Sequence, residues 1–348
     1  MYPWKTPITS APASRNELAA AAITALAAGA GPPEKTMATR FTSFATPNCK
    51  LDQAGLPFFA PGALLRAIDM AIDLESLGYE TAPIEFAYTW RDTVMYALGV
   101  GASAVEELDY LYEGRGPKVL PTFCTIPMFA VFDPLVDRIG CDRRGMVHHG
   151  QEIEIFKPLP PSARLRIIGR VAALYDLKRV AISVFSMKAY DEDGDLIIRG
   201  EVKLLLRNDG GFDGQRPPKD QRLPLPERAP DFEIRDRVAP TQALLYRLSG
   251  DYNPLHADPE FAAQVGFDRP ILHGLCTFGF AGRALVRAAG GGDPDRLAMF
   301  RAQFSKPVFP GDTLIVRGWE EGARVMVGVT TEERPDESCL SNAYAVLR

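Results

Sequence analysis

The sequence predicts an α+β protein made of one domain written twice, each copy a curved antiparallel sheet folded around a buried helix. Three observations carry that expectation. A repeat with a period near 150 residues runs through the chain, the second copy holds an almost wholly apolar helix, and each copy closes with consecutive strand-like segments.

The repeat is legible at three places. KPLPPSARLRIIG at 157 to 169 aligns with KPVFPGDTLIVRG at 306 to 318 through Lys157/Lys306, Pro158/Pro307, Pro161/Pro310, Leu165/Leu314 and Gly169/Gly318. LPTFCTI at 120 to 126 matches LHGLCTF at 272 to 278 through Leu120, Cys124 and Thr125, and YALGVGA at 96 to 102 matches YRLSGDY at 246 to 252. The offsets are 149, 152 and 150, in one order, so a whole domain is duplicated.

In the second copy Ala243, Leu244, Leu245 and Leu248 form a helical stripe that stops at Gly250. Asp258 and Pro259 make a cap and first position for a short helix ended by Gly266. LCTFGFAGRALVRAA, 275 to 289, is apolar on every side over its first ten residues, so protein must wrap it. Strands are expected in FRAQFSKPVF, TLIVRGWEE, RVMVGVTTEE and SCLSNAYAVL. The first copy repeats them near 151 to 157, 163 to 174, 179 to 190 and 196 to 206, with DEDGD at 191 to 195 as a hairpin turn. Its own helix carries Pro127 and Pro134, which predict a break or kink.

The expected organisation is an extension over residues 1 to 80, partly disordered; a degenerate first domain over 81 to 209; a Gly- and Pro-rich linker over 210 to 231; and a second domain over 232 to 348. The Ala-rich stretch at 19 to 31 resembles a secretory signal poorly, because an acid precedes it, and Met37 is an alternative start. The terminal AVLR is not an S-K-L type address.

At 348 residues the chain exceeds one ordinary hydrophobic core. A net charge of -5 argues against nonspecific nucleic-acid binding, and no apolar run reaches the ~18 residues of a membrane span. Five scattered cysteines, Cys49, Cys124, Cys141, Cys276 and Cys339, point to a reducing compartment rather than to disulfides or zinc.

Chemistry concentrates in LSGDYNPLHADP, 248 to 259. Asp251 and His256 lie five residues apart across a loop stiffened by Pro254, and their ordinary pKa values of ~3.9 and ~6.5 suit a carboxylate beside an imidazole near neutrality. A water held between them could lose one proton and have a second handled by the partner group. Asn253 offers an amide donor and a carbonyl acceptor. The same stretch also reads as a helix end followed by an Asx turn, with Asp251 and Asn253 satisfying backbone groups. The copies differ here: the first has Gly101 where the second has Asp251, and Pro121, Thr122 where the second has His273, Gly274. Gly274 starts the buried helix, where free amides favour an oxygen gaining negative charge. Close helix packing is the other account of Gly274, and an equal one for Gly279 and Gly282. His148 and His149 lack a patterned third ligand, so no metal site is expected. The first copy keeps Cys124 where the second has Cys276, which favours packing over thiolate chemistry. Arg301 and Lys306 could meet phosphates.

The segment YRLSGDYNPLHADPEFAAQVGFDRPILHGLCTFGFAGRAL resembles the signature of the enoyl-CoA hydratase 2 branch of the MaoC-like dehydratases. The resemblance continues through FSKPVFPGDTL and SNAYAVL, and in the first copy through RDTVMYALGVGA, LPTFCTIP and HHGQEIEIFKPLP, covering about residues 80 to 348. It implies two tandem hot-dog domains, a sheet as bun and a helix as filling. It further implies reversible hydration of a trans-2-enoyl-CoA to the (3R)-3-hydroxyacyl-CoA, without cofactor or metal. By that resemblance Asp251 and His256 activate water, Asn253 supports them, and the Gly274 amide donates to the thioester oxygen; Tyr252, His273, Leu275 and Lys306 are candidates for substrate contact. The broken helix of the first copy would widen an acyl tunnel, and a homodimer is a further expectation. A tailoring dehydratase on a polyketide or other acyl thioester, a hot-dog thioesterase, and a noncatalytic acyl-CoA binding protein are the competing readings.

Overall fold

The structure is a computed structural model that describes residues 72–219 and 223–348. The Ala-rich segment, Met37, Cys49 and most of the N-terminal extension lie outside the described residues.

Ten antiparallel strands form one sheet, and their order shows the duplication. The strands are β1 (Ile84–Tyr88), β2 (Met146–Ile155), β3 (Ala163–Asp176), β4 (Ala181–Tyr190), β5 (Leu196–Leu206), β6 (Phe232–Arg237), β7 (Leu297–Phe304), β8 (Thr313–Glu321), β9 (Arg324–Thr331) and β10 (Leu340–Leu347). Their order is β1-β3-β4-β5-β2-β7-β10-β9-β8-β6, so the second half mirrors the first strand for strand. The halves join at β2 and β7, where Gly150 faces Gln303 and Ile153 faces Phe300. Burial alternates along the start of β3, where Leu165, Ile167 and Val171 are buried, whereas Leu314, Ile315 and Val316 on β8 are buried in succession.

Five α-helices occur among the described residues: α1 (Trp90–Gly99), α2 (Thr125–Ile139), α3 (Gln242–Tyr246), α4 (Pro259–Gln264) and α5 (Gly274–Ala288). Helix α5 is buried continuously from Leu275 to Val286, as its apolar composition requires. Asp258 caps α4 by accepting from the Glu260 and Phe261 amides. The fold class is α+β as predicted.

Two local expectations are corrected. Helix α2 is not broken: Pro127 falls in its first turn, where no amide is needed, and Pro134 stands on the exposed face, where the freed carbonyl can meet solvent. The stripe of α3 is turned differently, with Ala243 and Tyr246 buried while Leu244 and Leu248 are 49% and 50% exposed. Residues 72 to 80 also pack with the first copy, since the Asp73 amide donates to Ile139 and the Gly78 amide to Val171.

The repeats meet closely through their helices. A side chain at Gly279 would lie 2.3 Å from Val100, and one at Gly282 would lie 2.4 Å from Thr122, so both glycines permit close packing. Gln242 on α3 donates to the carbonyls of Leu98 and Gly99 on α1, and the Cys276 thiol donates to Gly99.

Candidate active site

The acid-base loop begins where α3 ends. Gly250, at φ +128°, turns the chain out of the helical line, a conformation that favours glycine. Asp251 Oδ1 then accepts from the Asn253 amide at 3.2 Å, and Asn253 Oδ1 accepts from the Leu255 amide at 3.0 Å. The side-chain oxygen of Asn253 thus caps the single turn Pro254–His256, so the Asx-turn reading holds for Asp251 and Asn253 alike, and the turn aims His256 inward.

His256 is 8% exposed, and its Nδ1 lies 2.9 Å from the Ile271 carbonyl. A carbonyl only accepts, so the proton sits on Nδ1 and Nε2 carries the lone pair. Burial pushes its pKa below the usual histidine range, against the pull of the Asp251 carboxylate and the Ile271 bond; the Arg247 guanidinium lowers it further. The ring is therefore neutral at pH 7 and able to accept a proton.

Asp251, His256 and His273 each present an atom within 4.8 Å of the others. One oxygen hydrogen-bonded to two groups at 2.6 to 3.2 Å spans up to about 6 Å, so the separation of Asp251 and His256 lies within the reach of one bridging oxygen. A metal ion fits this set poorly. The imidazoles stack at 3.7 Å with planes 29° apart, so their in-plane lone pairs run side by side instead of converging about 2.0 Å from one ion.

Gly274 is the first residue of α5, so its amide has no acceptor inside the helix. A Cβ at this position would meet the Phe304 ring at 3.0 Å, so close packing favours glycine here. Of the flanking candidates, His273 stacks on His256, Leu275 is buried in the first turn of α5, and Tyr252 lies under the Arg247 guanidinium at 5.5 Å. Lys306 pairs instead with Glu337 at 3.6 Å, and Arg301 with Glu152 at 3.7 Å. The Cys276 thiol is buried and its pKa driven well up, which removes it as a nucleophile at neutral pH.

Sequence reasoning missed two neighbours. A bulge between His148 and Gly150 interrupts the β2–β5 pairing, and the His148 ring lies against Phe304 at 4.8 Å, with the Asp251 carboxylate in electrostatic reach. Arg247 holds the loop by donating to the Tyr252 carbonyl at 3.0 Å. Nothing in the spacing of HHG announces a bulge, whereas Arg247, four residues before Asp251 at a helix end, was visible.

The place corresponding to Asp251 in the first copy is filled, which corrects the expectation of added room there. Gly101 has φ +78°, and a Cβ on it would lie 2.4 Å from the Phe280 ring of α5.

Two family models match the chain. Residues 222–338 match the MaoC like domain, and residues 86–208 match the MFE-2 hydratase 2 N-terminal domain. Enoyl-CoA hydratase ChsH3 of Mycobacterium tuberculosis is 38% identical over 286 residues, covering 80% of this chain and 99% of that protein. The peroxisomal enoyl-CoA hydratase 2 of Arabidopsis thaliana is 38% identical over 278 residues, covering 74% and 90%. The 3-hydroxyacyl-thioester dehydratase Y of M. tuberculosis is 42% identical over 260 residues, covering 72% and 88%. The solved MaoC-like dehydratase of Phytophthora capsici superposes with a TM-score of 0.72 at 31% identity, covering 80% of this chain and 98% of that one.

Proposed function

This chain belongs to the enoyl-CoA hydratase 2 branch of the MaoC-like dehydratases, and from that membership we propose that it adds water reversibly to a trans-2-enoyl-CoA, giving the (3R)-3-hydroxyacyl-CoA. The observation that carries the reading is the meeting of Asp251 with a neutral His256 on a loop that His273 ties to the start of α5, where the Gly274 amide has no acceptor inside the helix.

The chemistry follows from the groups. Water held between Asp251 and His256 gives up a proton as its oxygen bonds to C3 of the enoyl group. The π electrons move toward the thioester oxygen, which gains enolate-like charge and accepts from the Gly274 amide. C2 then takes a proton from the acid-base pair, so one water is added and nothing else is consumed. A donor of this kind contributes on the order of 3 kcal/mol to transition-state stabilisation. The reaction requires no cofactor. Dehydration of a 3-hydroxyacyl thioester is the same path reversed, and the 42% identity to a dehydratase supports that direction as well.

The first repeat is assigned to the acyl chain, a role supported by His148 bordering the site from β2. No helix among the described residues is long and apolar enough to cross a membrane. Buried, unpaired Cys124, Cys141, Cys276 and Cys339 suit a reducing compartment, cytoplasmic or peroxisomal. The two repeats already pair within one chain, so a homodimer would add to the assembly without completing the site; light scattering on the eluting protein reads its mass.

The deciding experiment presents purified protein with trans-2-enoyl-CoAs of increasing length and follows loss of enoyl absorbance, with chiral analysis of the product. A (3R) product supports the assignment. Release of free CoA thiol without hydroxyacyl product would overturn it in favour of thioester hydrolysis.

A further inference from the structure

We propose that His273 is a positioning residue, a strut that holds the loop carrying Asp251 in register with the amide of Gly274. The proposal rests on the hydratase reading and adds to it a residue whose work is done through others.

His273 is joined to both halves of the site. Its Nε2 lies 3.1 Å from the backbone carbonyl of Asp251, so Nε2 carries the proton and donates. Its own carbonyl accepts from the Cys276 and Thr277 amides, each at 3.1 Å, and so starts α5 immediately before Gly274. One residue therefore connects the water-activating loop to the amide that meets the thioester oxygen, across 22 residues of sequence.

Two rings pack against His273. His256 stacks on it at 3.7 Å, and Tyr246 packs against it with ring centroids 4.9 Å apart. At 1% exposure, with Nε2 committed to Asp251, little of the side chain is left for a substrate to touch. This separates the role from the substrate contact first expected of it. Burial, with His256 alongside, drives its pKa well below the usual histidine range. The ring thus keeps one proton, on Nε2, at the pH where the site works. Its Nδ1 is buried without a hydrogen-bond partner among the described residues, which fits a ring retained for what Nε2 and the stacking faces do.

At Asp251 itself the chain is held by the His273 bond and by its own carboxylate, which accepts from the Asn253 amide, while Arg247 braces the next residue through the Tyr252 carbonyl. The first copy gives the contrast. Pro121 stands at the position of His273 and has no side-chain donor, and there the acid is absent too, with Gly101 in its place.

The test compares His273→Phe, which keeps an aromatic face but has no donor, with His273→Gln, whose amide can donate to the same carbonyl. Each is assayed for kcat and KM, with circular dichroism to verify folding. Misplacement by about 1 Å costs on the order of 10²-fold in rate, so the Phe variant is expected to lose about that factor in kcat with KM within about threefold. The Gln variant is expected to regain at least about tenfold of the loss. A folded Phe variant with wild-type kcat overturns the proposal, as does a rise in KM at unchanged kcat, which marks a substrate contact. If the Phe variant does not fold, the Gln variant decides alone: kcat within about tenfold of wild type supports the strut, and a loss of about 10²-fold or more overturns it. Failure of the hydratase reading is distinct, because the wild-type protein would then hydrate no enoyl-CoA.

Discussion

Gly101 of the first repeat lies directly under the ring of Phe280 from the second, at the place where the second repeat carries Asp251. A Cβ on Gly101 would fall 2.4 Å from that ring, and its φ of +78° disfavours any side chain. One repeat's missing acid is thus filled by the other repeat's helix. Gly101→Asp should therefore destabilise the fold without creating a second site. The expected cost is about 2 to 4 kcal/mol, from strain and overpacking together. Thermal unfolding of the variant, and the absence of restored turnover when it is combined with His256→Ala, check both parts.

Asp251→Asn and His256→Ala should each remove at least about 10³-fold from kcat, because each removes a proton-transfer group rather than a packing group. The Asn side chain keeps an oxygen for the Asn253 amide, so its melting temperature should stay within a few degrees of wild type. Turnover near the wild-type rate by either folded variant would sink the assignment of these roles.

The acid side of the pH profile follows from His256. Its neutral form does the work, and burial lowers its pKa below 6.5, so kcat/KM should hold steady as pH falls through 6.5 and drop only below that value. Stability changes over the same range. His148 is pushed down to about 4 by burial, and His256 and His273 are lowered as well, so the unfolded chain binds more protons than the folded one below pH 6.5. Stability is complete above 6.5 and is lost as pH falls toward 4, with His148 alone accounting for on the order of 1 to 2 kcal/mol at pH 5. Urea midpoints at pH 5 and pH 7.5 read the difference.

The duplicated fold and the acid-base loop were legible because their signals are local. Strand-like runs bounded by Gly, Pro or charged turns marked the strands of both copies, and Asp251, Asn253 and His256 lie within one short loop whose turns follow from Gly250 and Pro254. What stayed hidden depends on contacts between distant residues. His148 reaches the site only because a bulge interrupts β2 and because β2 pairs with β7. Pro127 and Pro134 predicted a break because sequence does not show that the first falls in the opening turn and the second on an exposed face. His273 and Asp251 are 22 residues apart, and their bond exists only once α5 is seated in the sheet.

The stacked arrangement of His256 and His273 directs their lone pairs past a common point, so the reaction should not depend on a divalent ion. Prolonged treatment with EDTA, followed by assay in metal-free buffer, should leave kcat unchanged. A loss restored by zinc or magnesium would contradict the role given to the two imidazoles.

Arg283 gives the last prediction, one of stability across the repeats. It lies in the middle of α5 at 1% exposure, within ion-pair distance of Glu107, 4% exposed, at 2.5 Å and of Asp236 at 2.7 Å. Its Nε donates to the Val100 carbonyl at 3.1 Å. Glu107 belongs to the first repeat and Asp236 to β6 of the second, so one buried cation joins the repeats behind the site. Replacing it with methionine keeps most of the volume but leaves Glu107 buried without its counter-charge. Breaking such a pair costs about 3 to 5 kcal/mol, which in a domain of this size lowers the melting temperature by about 10 °C. Adding Glu107→Gln to Arg283→Met removes the stranded charge and should recover part of the loss. If the double variant is no more stable than the single one, the cost lies in packing around α5 and not in the isolated carboxylate.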